Sequence, residues 1–499
     1  MIDPGALKSW TARLAGPFWG VLLLDLVARG QALFAPMASI DSYDVARRSF
    51  SGEIAYCLGD GRFVRAALWW AQQQLGFLPL ESMSASLCLA IPLFIVSGFL
   101  FAAAILDDLR ASEAFVCAAL FTLHPFASEY FYYGEVAFAT VLAVFFASVA
   151  VWSAFRAPPS PISRGLAVGA VVLALGDYQI TIGHIAAGGL LVLAARLARG
   201  DRASSAELLA FARSAGVLAL GVILYLLCLV ATRFLFPAAA AGRAFPGHVP
   251  DFAAKLDAVG GAIGFALWPP NGIVAPAVSL LTLVALALCL AALVHSALAA
   301  RGLLQALAVA LAVGAAILCA VCAALIGDVV WLVPRLLSPI ALCVAGLAAI
   351  GFRRLAGQVR LGLAAAVAIV LLGYLGADAS ILFDQRRVNL WDDQEANRMI
   401  ARLEADPGFG KATSLAIVGR KPTRPFALST MAGDMNSSAF GSPWSKLGLV
   451  EQATGYRFLA PTDEEWQAAI EYCAGRPAWP TPGSAAVKDE LAIVCLPRR

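Results

Sequence analysis

The sequence predicts a mainly α-helical polytopic membrane protein with a small polar α/β domain at its C-terminus. Of its 499 residues 60% are apolar and only 14% are charged, whereas a soluble globular protein carries about 25% charged residues. The mean hydropathy is +0.78. The deficit of charge lies almost wholly between residues 14 and 383, so we predict a transmembrane domain over 1–383 and a soluble domain over 384–499.

Apolar runs set the expected number of spans, because a helix that crosses a hydrocarbon core of roughly 30 Å needs about 20 apolar residues. Eleven runs suggest about eleven transmembrane helices. The first follows Lys8 and Arg13 without a small-residue cleavage site, so it is expected to be a retained span. The runs lie near 15–36, 84–106, 112–127, 135–155, 163–176, 178–196, 213–236, 272–298, 302–326, 332–352 and 361–383.

Loop charges give the expected orientation. With the N-terminus inside, the inner loops hold more arginine and lysine than the outer ones, in the sense of the positive-inside rule. An odd number of spans then places the tail after residue 383 outside the membrane. Basic runs with interleaved aromatics are absent, so nucleic-acid binding is set aside.

The tail reads as a small α/β unit. Leu390 to Leu403 has helical periodicity, Ser414–Val418 and Leu491–Cys495 read as strands, and Trp466–Tyr472 reads as a second helix. Cys473 and Cys495 lie in this tail, where a disulfide between them requires an oxidising compartment. Most other cysteines sit in apolar runs and are expected to be buried hydrophobes, and no metal site is predicted from them.

The first outer loop carries the densest set of polar residues. Asp41 and Asp44 are three residues apart and are followed by Arg47 and Arg48. Arginine matches phosphate oxygens with its planar guanidinium, and a carboxylate beside it can take a proton from an attacking hydroxyl. A solvated loop with local ion pairs is the alternative. The loop continues with Glu53, Asp60 and Arg62.

Later turns place further polar residues on the same side. Glu129 and Glu135 lie among aromatic residues, and Glu135 begins an apolar run, where an ionisable group is costly and points to function. Tyr178 and Gln179 form another turn, and Arg335 follows Pro334 at a late span. Interface glutamates, a tight turn and a snorkelling arginine are the plain alternatives. Asp25 and Arg29, four apart within the first span, are expected to form a structural ion pair.

In this order, the segments resemble the membrane glucosyltransferases that modify O-antigen (the Gtr type II family). The matching parts are Asp44-Val-Ala-Arg47, Gly59-Asp60-Gly61-Arg62, Tyr178-Gln179 and Pro334-Arg335. In the tail they are Asn397-Arg398, Ile417-Val418-Gly419, Ser442-Pro443-Trp444 and the terminal cysteine pair. Family members often carry two adjacent aspartates in the first loop; here Tyr43 stands at the first position, with Asp41 nearby.

The resemblance implies a GT-C-like fold and a glucosyltransferase of the bacterial inner membrane, with its N-terminus cytoplasmic and its C-terminal domain periplasmic. The implied donor is a sugar, glucose in the family, on a polyprenyl phosphate such as undecaprenyl phosphate. The implied acceptor is a surface polysaccharide such as the O-antigen of lipopolysaccharide. No cofactor is implied with certainty, and a divalent metal is an open alternative.

The expected mechanism is a single inverting displacement. Asp44 is our first candidate for the base and Asp41 the second. The expected roles are donor-phosphate binding for Arg47, Arg48, Arg62 and Arg335, and sugar or acceptor binding for Asp60, Glu129, Glu135, Tyr178 and Gln179. The main alternative is a polytopic transporter or flippase of lipid-linked sugars, which is expected to carry ionisable residues near the middle of several spans.

Overall fold

A computed structural model describes residues 4–199, 205–236, 252–268, 273–322, 332–420 and 424–497. The helices up to residue 404 are α1 (Pro4–Phe34), α2 (Ile40–Arg47), α3 (Phe50–Gly59), α4 (Phe63–Gln74), α5 (Met83–Ile105), α6 (Ala111–Thr122), α7 (Ser128–Tyr132), α8 (Ala137–Phe155), α9 (Pro161–Asp177), α10 (Thr181–Leu197), α11 (Ser205–Leu235), α12 (Phe252–Leu267), α13 (Pro276–Arg301), α14 (Leu303–Cys322), α15 (Pro334–Leu337), α16 (Pro339–Arg354) and α17 (Gly357–Glu404).

The protein is an integral membrane protein with about eight spans. Within the described ranges, eight helical segments are long and apolar enough to cross a membrane, or nine if the bent pair of α6 with Pro125–Tyr132 is one span. The eleven expected runs all fall on helices, but α9 and α10 have only 17 residues each. At 1.5 Å per residue such a helix is about 26 Å long, which is short of a roughly 30 Å core.

The bend between α6 and the segment Pro125–Tyr132 determines the position of Glu129. The axis turns by 51° between α6 and the segment that begins at Pro125, where proline lacks the N–H that would continue the helix. The backbone N–H of Phe126 instead donates to Nδ1 of His124 (3.3 Å). The turn is buried throughout, so α7 carries Glu129 into the interior of the bundle.

At one end of the bundle, arginines from different loops form ion pairs with acidic residues. Nε of Arg353 donates to Oε1 of Glu113 (3.0 Å), and Arg156 and Arg199 both form ion pairs with Asp107. The opposite end carries α2 to α4 and is covered by the C-terminal domain. We call the latter the domain end.

The bundle and the domain are joined by α17, which runs without a break for 48 residues. Its first part buries Val367 and Tyr374 in the bundle, and its last part buries Met399 and Leu403 in the core of the domain. The boundary expected at 383/384 therefore falls inside one continuous helix.

The domain is built on a three-stranded sheet of β1 (Ser414–Val418), β2 (Ala485–Lys488) and β3 (Leu491–Cys495), in the order β1-β3-β2. β3 is parallel to β1 and antiparallel to β2. Because side chains alternate across a strand, one face packs on α17 and α18 (Lys446–Thr454), and the other packs on α19 (Asp463–Ala474). Cys473 of α19 and Cys495 of β3 form a disulfide bond, with their Cα atoms 5.4 Å apart.

A buried ionic group lies within the bundle. Arg29 donates to its expected partner Asp25, to Oδ2 of Asp378 on α17 (2.6 Å) and to the carbonyl of Thr122 (2.7 Å). The hydroxyl of Ser128 donates to the other oxygen of Asp378. The side chains of Arg29 and Asp378 are fully buried, so two carboxylates share one guanidinium away from water.

Candidate active site

Asp41 lies in the first turn of α2, at the domain end. The helix begins with a capping box, in which Oγ of Ser39 accepts from the backbone N–H of Ser42. Oδ1 of Asp41 accepts a hydrogen bond from Nε1 of Trp444 in the C-terminal domain (3.1 Å). Burial raises the pKa of Asp41, the nearby carboxylates of Asp434 and Asp44 add to the rise, and the Arg335 guanidinium opposes it.

Asp44 is held in an ion-pair network of its own. The Arg48 guanidinium donates to Asp44 and to Oε2 of Glu53 (2.8 Å), and it lies over the ring of Tyr56 with 5.0 Å to the centroid. Arg48 therefore already neutralises Asp44. Asp41 is the expected base whose burial makes its carboxylate more basic.

Arg47 contacts the C-terminal domain. Its Nη2 donates to the carbonyl of Phe458 (2.7 Å), and its Nε lies 3.4 Å from Oε2 of Glu451. These contacts tie α2 to the domain, next to α18.

Arg335, in α15, lies between the bundle and the domain. Its backbone N–H donates to Oε2 of Glu129 (2.6 Å). Its Nη1 contacts Oε1 of Glu129, the hydroxyl of Tyr133 (2.8 Å) and Oδ2 of Asp434 (2.8 Å). The Tyr133 hydroxyl also donates to Asp434 (2.7 Å). These four residues form a set that we call the Arg335 cluster, and Asp41 lies near it.

Tyr178 adjoins this cluster. Its ring is buried and lies 5.8 Å from the Arg62 guanidinium and 5.2 Å from that of Arg65. Burial raises the pKa of Tyr178, while the positive charges of Arg335, Arg62 and Arg65 oppose the rise. Arginines from two distant parts of the chain, Arg62 with Arg65 and Arg335, therefore act on one phenol.

Gln179 and Asp60 hold Arg62 in place. Oε1 of Gln179 accepts from Nε of Arg62 (3.2 Å), and its Nε2 donates to the Asp60 carbonyl (2.7 Å) and to the hydroxyl of Tyr225 (3.0 Å). The Asp60 carboxylate is 3.7 Å from Nη2 of Arg62. By contrast, Arg65 is 2.9 Å from Asp177. Arg62 thus has the looser carboxylate partner of the two.

Glu135 contacts α2 and is not part of the Arg335 cluster. It is buried, and its Oε2 accepts a hydrogen bond from the Ser42 hydroxyl (2.9 Å). This contact fixes the start of α8 to the helix that carries Asp41.

Sequence reasoning did not assign a role to Arg65, Tyr133, Asp434 or Trp444. Arg65 follows Arg62 by three residues, the spacing of one helix face. This spacing could have predicted that the two arginines lie on the same side of a helix. Asp434 and Trp444 lie in the tail, and nothing local in the sequence pairs them with residues of the bundle. Within the described ranges, no group of three or more histidine, cysteine, aspartate or glutamate residues is placed to hold a metal ion.

Comparisons with protein-family models, with curated proteins and with solved structures find no match for this chain.

Proposed function

We propose that the protein is a glycosyltransferase that moves a sugar, glucose by the resemblance, from a polyprenyl-phosphate donor to a surface polysaccharide such as O-antigen. The observation that carries the proposal is the convergence at the domain end. A carboxylate with a raised pKa, Asp41, lies beside the Arg335 cluster, and Tyr178 and Arg62 adjoin it. A transferase that acts on a lipid-linked donor needs a base and cations together at the membrane surface.

In this proposal Asp41 is the general base. It takes the proton of the acceptor hydroxyl while that oxygen attacks the anomeric carbon, and the bond from this carbon to the phosphate oxygen breaks with inversion. A base with a pKa closer to the working pH is the more effective proton acceptor.

Positive charge has to stabilise the phosphate that leaves with the lipid. Arg62 is the best placed arginine for this role, because a neutral amide holds its Nε and its carboxylate partner is 3.7 Å away. Arg335 adds a positive charge that acts on Tyr178, with Glu129 and Asp434 bound to its guanidinium. Arg47 and Arg48 are engaged by the domain and by Asp44 with Glu53, so positioning of α2 is their proposed role.

The domain end is proposed to face the periplasm of a bacterial inner membrane, with the N-terminus cytoplasmic. Two observations support this orientation. Over the bundle sequence, arginine and lysine are more numerous in the loops of the opposite end, which include Arg156, Arg199 and Arg353, as the positive-inside rule expects of a cytoplasmic end. The domain also holds a disulfide bond, which persists in an oxidising compartment.

The test uses the purified full-length protein in nanodiscs with undecaprenyl-phosphate glucose, and separately with the mannose and galactose donors. The measurements are release of undecaprenyl phosphate and incorporation of sugar into an O-polysaccharide acceptor. Asp41→Asn is expected to lower transfer by about 10²- to 10⁴-fold, the usual contribution of a general base, and by more than Asp44→Asn does. Absence of release from every donor would reject the proposal.

The buried group around Arg29 favours a second candidate function, a transporter or flippase of lipid-linked sugars. Ionisable residues within the membrane are costly and commonly mark a transport pathway, and Asp378 binds both Arg29 and Ser128. Movement of a fluorescent polyprenyl-phosphate sugar across liposomes, lost in Asp378→Asn but kept in Asp41→Asn, would support this function over the transferase.

A further inference from the structure

Trp444 is a large aromatic side chain left half-exposed beside the candidate base. Its exposed fraction is 50%, although its indole N–H already donates to Asp41. A tryptophan that has satisfied its polar atom on a carboxylate keeps its apolar ring faces for another partner.

The position of this indole is fixed by the backbone around it. The hydroxyl of Ser445 donates to the carbonyl of Ala439 (2.6 Å) and to that of Ser442 (3.1 Å), which closes the turn before α18. Four residues after Trp444, Gly448 packs on α2 so closely that an added Cβ would lie 2.1 Å from the carbonyl oxygen of Tyr43. The turn that carries Trp444 is thus held against the helix that carries Asp41.

The surroundings of the ring suit a sugar. The π-face of an indole is electronegative and attracts the polarised C–H groups on the apolar face of a pyranose. Carboxylates accept hydrogen bonds from hydroxyl groups. Asp41 is bonded to this indole, and Asp434 is near enough to Asp41 to act on its charge. An aromatic surface with a few convergent polar groups is the usual composition of a small-molecule site.

We propose that Trp444 forms the acceptor subsite, where its ring stacks on a pyranose unit of the acceptor saccharide and presents a hydroxyl of that unit to Asp41. This inference rests on the proposed transferase function. It makes the C-terminal domain the part of the protein that selects the acceptor.

The subsite is tested by binding, independently of transfer. Saturation-transfer NMR on the full-length protein in nanodiscs uses methyl glycosides of glucose, galactose, mannose and rhamnose as probes. Trp444→Ala is expected to weaken saccharide binding by about tenfold. Trp70→Ala is the matched control, because the Trp70 side chain is 57% exposed on α4 and lies outside the Arg335 cluster. Equal binding by Trp444→Ala and the wild type would overturn the inference.

Trp444→Phe separates stacking from the hydrogen bond. The ring is kept, so binding of the methyl glycosides is expected to stay within about threefold of wild type. The N–H that stabilises ionised Asp41 is lost, so the acidic limb of the transfer activity is expected to move to higher pH. A variant that binds as poorly as Trp444→Ala would show that the hydrogen bond, and not the ring, makes the site, which contradicts the stacking proposal.

The two proposals fail in different ways. Saccharide binding that depends on Trp444, without transfer from any polyprenyl-phosphate donor, would reject the transferase function but support a saccharide-binding site. Transfer by Trp444→Ala with an unchanged KM for the acceptor would keep the transferase and sink the subsite.

Discussion

Both oxygens of the Glu129 carboxylate bind Arg335, one through the arginine's backbone N–H and the other through its guanidinium. The Glu129 side chain is fully buried and that of Arg335 is 12% exposed. Asp434 accepts from the same Nη1 at 2.8 Å. A residue of the C-terminal domain therefore joins an ion pair of the membrane bundle.

Glu129 and Asp434 are expected to contribute to stability in a coupled way. Glu129→Gln should lower the free energy of unfolding by about 1.5–3 kcal/mol, the range for hydrogen bonds to charged groups, because Asp434 still neutralises Arg335. The double variant Glu129→Gln/Asp434→Asn should lose more than the sum of the single variants, by about 0.5–3 kcal/mol. Unfolding by SDS titration in bicelles measures these values. The exposed Glu471→Gln on α19 is the control, and strict additivity would contradict the shared ion pair.

The pH dependence of transfer should follow the charges around Asp41. A general base acts only when ionised, so activity falls as the pH drops through its pKa, and the raised pKa of Asp41 places this limb above the ordinary aspartate range. Asp434→Asn removes a negative neighbour and should move the limb to lower pH. Arg335→Gln removes a positive one and should move it to higher pH.

The measurement is the pH profile of kcat/KM for the acceptor. Asp463→Asn, an exposed aspartate at the start of α19, should leave the limb in place. An acidic limb that stays at the same pH in both Asp434→Asn and Arg335→Gln would show that Asp41 is not the base.

Docking of the domain should depend on Gly448. On helix propensity alone, Gly448→Ala would stabilise α18 by about 1 kcal/mol. The new Cβ would however meet the Tyr43 carbonyl oxygen at 2.1 Å, so α18 must shift away from α2. We expect faster proteolysis between the domain and the bundle, together with loss of activity. Gly475→Ala, where a Cβ meets nothing within 4 Å, should behave as wild type, and a stabilised Gly448→Ala would contradict the close packing.

The Cys473–Cys495 bond reports on both stability and orientation. The two cysteines are 22 residues apart, so Cys473→Ser should cost about 3 kcal/mol of unfolding free energy by loop-closure entropy. In intact cells both thiols should resist alkylation until a reductant is added, as expected for a periplasmic domain. Cys88→Ser, which replaces an exposed free cysteine, is the control for stability. Thiols that react without reductant would place the domain in the cytoplasm.

Local sequence patterns predicted two of the strands and the positions of the apolar helices. β1 and β3 were found at their observed bounds, because short apolar runs next to polar turns have few other solutions. Every apolar run fell on a helix, yet the expected eleven spans exceed the eight or nine helices long enough to cross a membrane in the described part of the chain. Apolarity alone does not distinguish a full span from a short helix buried by its neighbours, such as α10.

The candidate site was harder to predict, because its contacts join distant parts of the chain. The hydrogen bond from Trp444 to Asp41 spans 403 residues of sequence, and no local spacing signals it. The sequence favoured Asp44 over Asp41 as the base, and only the structure shows that Arg48 binds Asp44. The helices α2, α3 and α4 were also missed, since their polar residues read as loop.

The unbroken course of α17 has a consequence for how the chain can evolve. Each residue of an α-helix adds 1.5 Å of rise and rotates the chain by about 100° about the helix axis. One residue inserted between Asp378 and Asp392 would therefore rotate the whole C-terminal domain relative to the bundle. Asp434 and Trp444 would then swing away from Arg335 and Asp41. The length and the phase of this segment are therefore under a stricter constraint than the identity of its exposed residues, because even a whole-turn insertion would move the domain by about 5.4 Å along the helix axis.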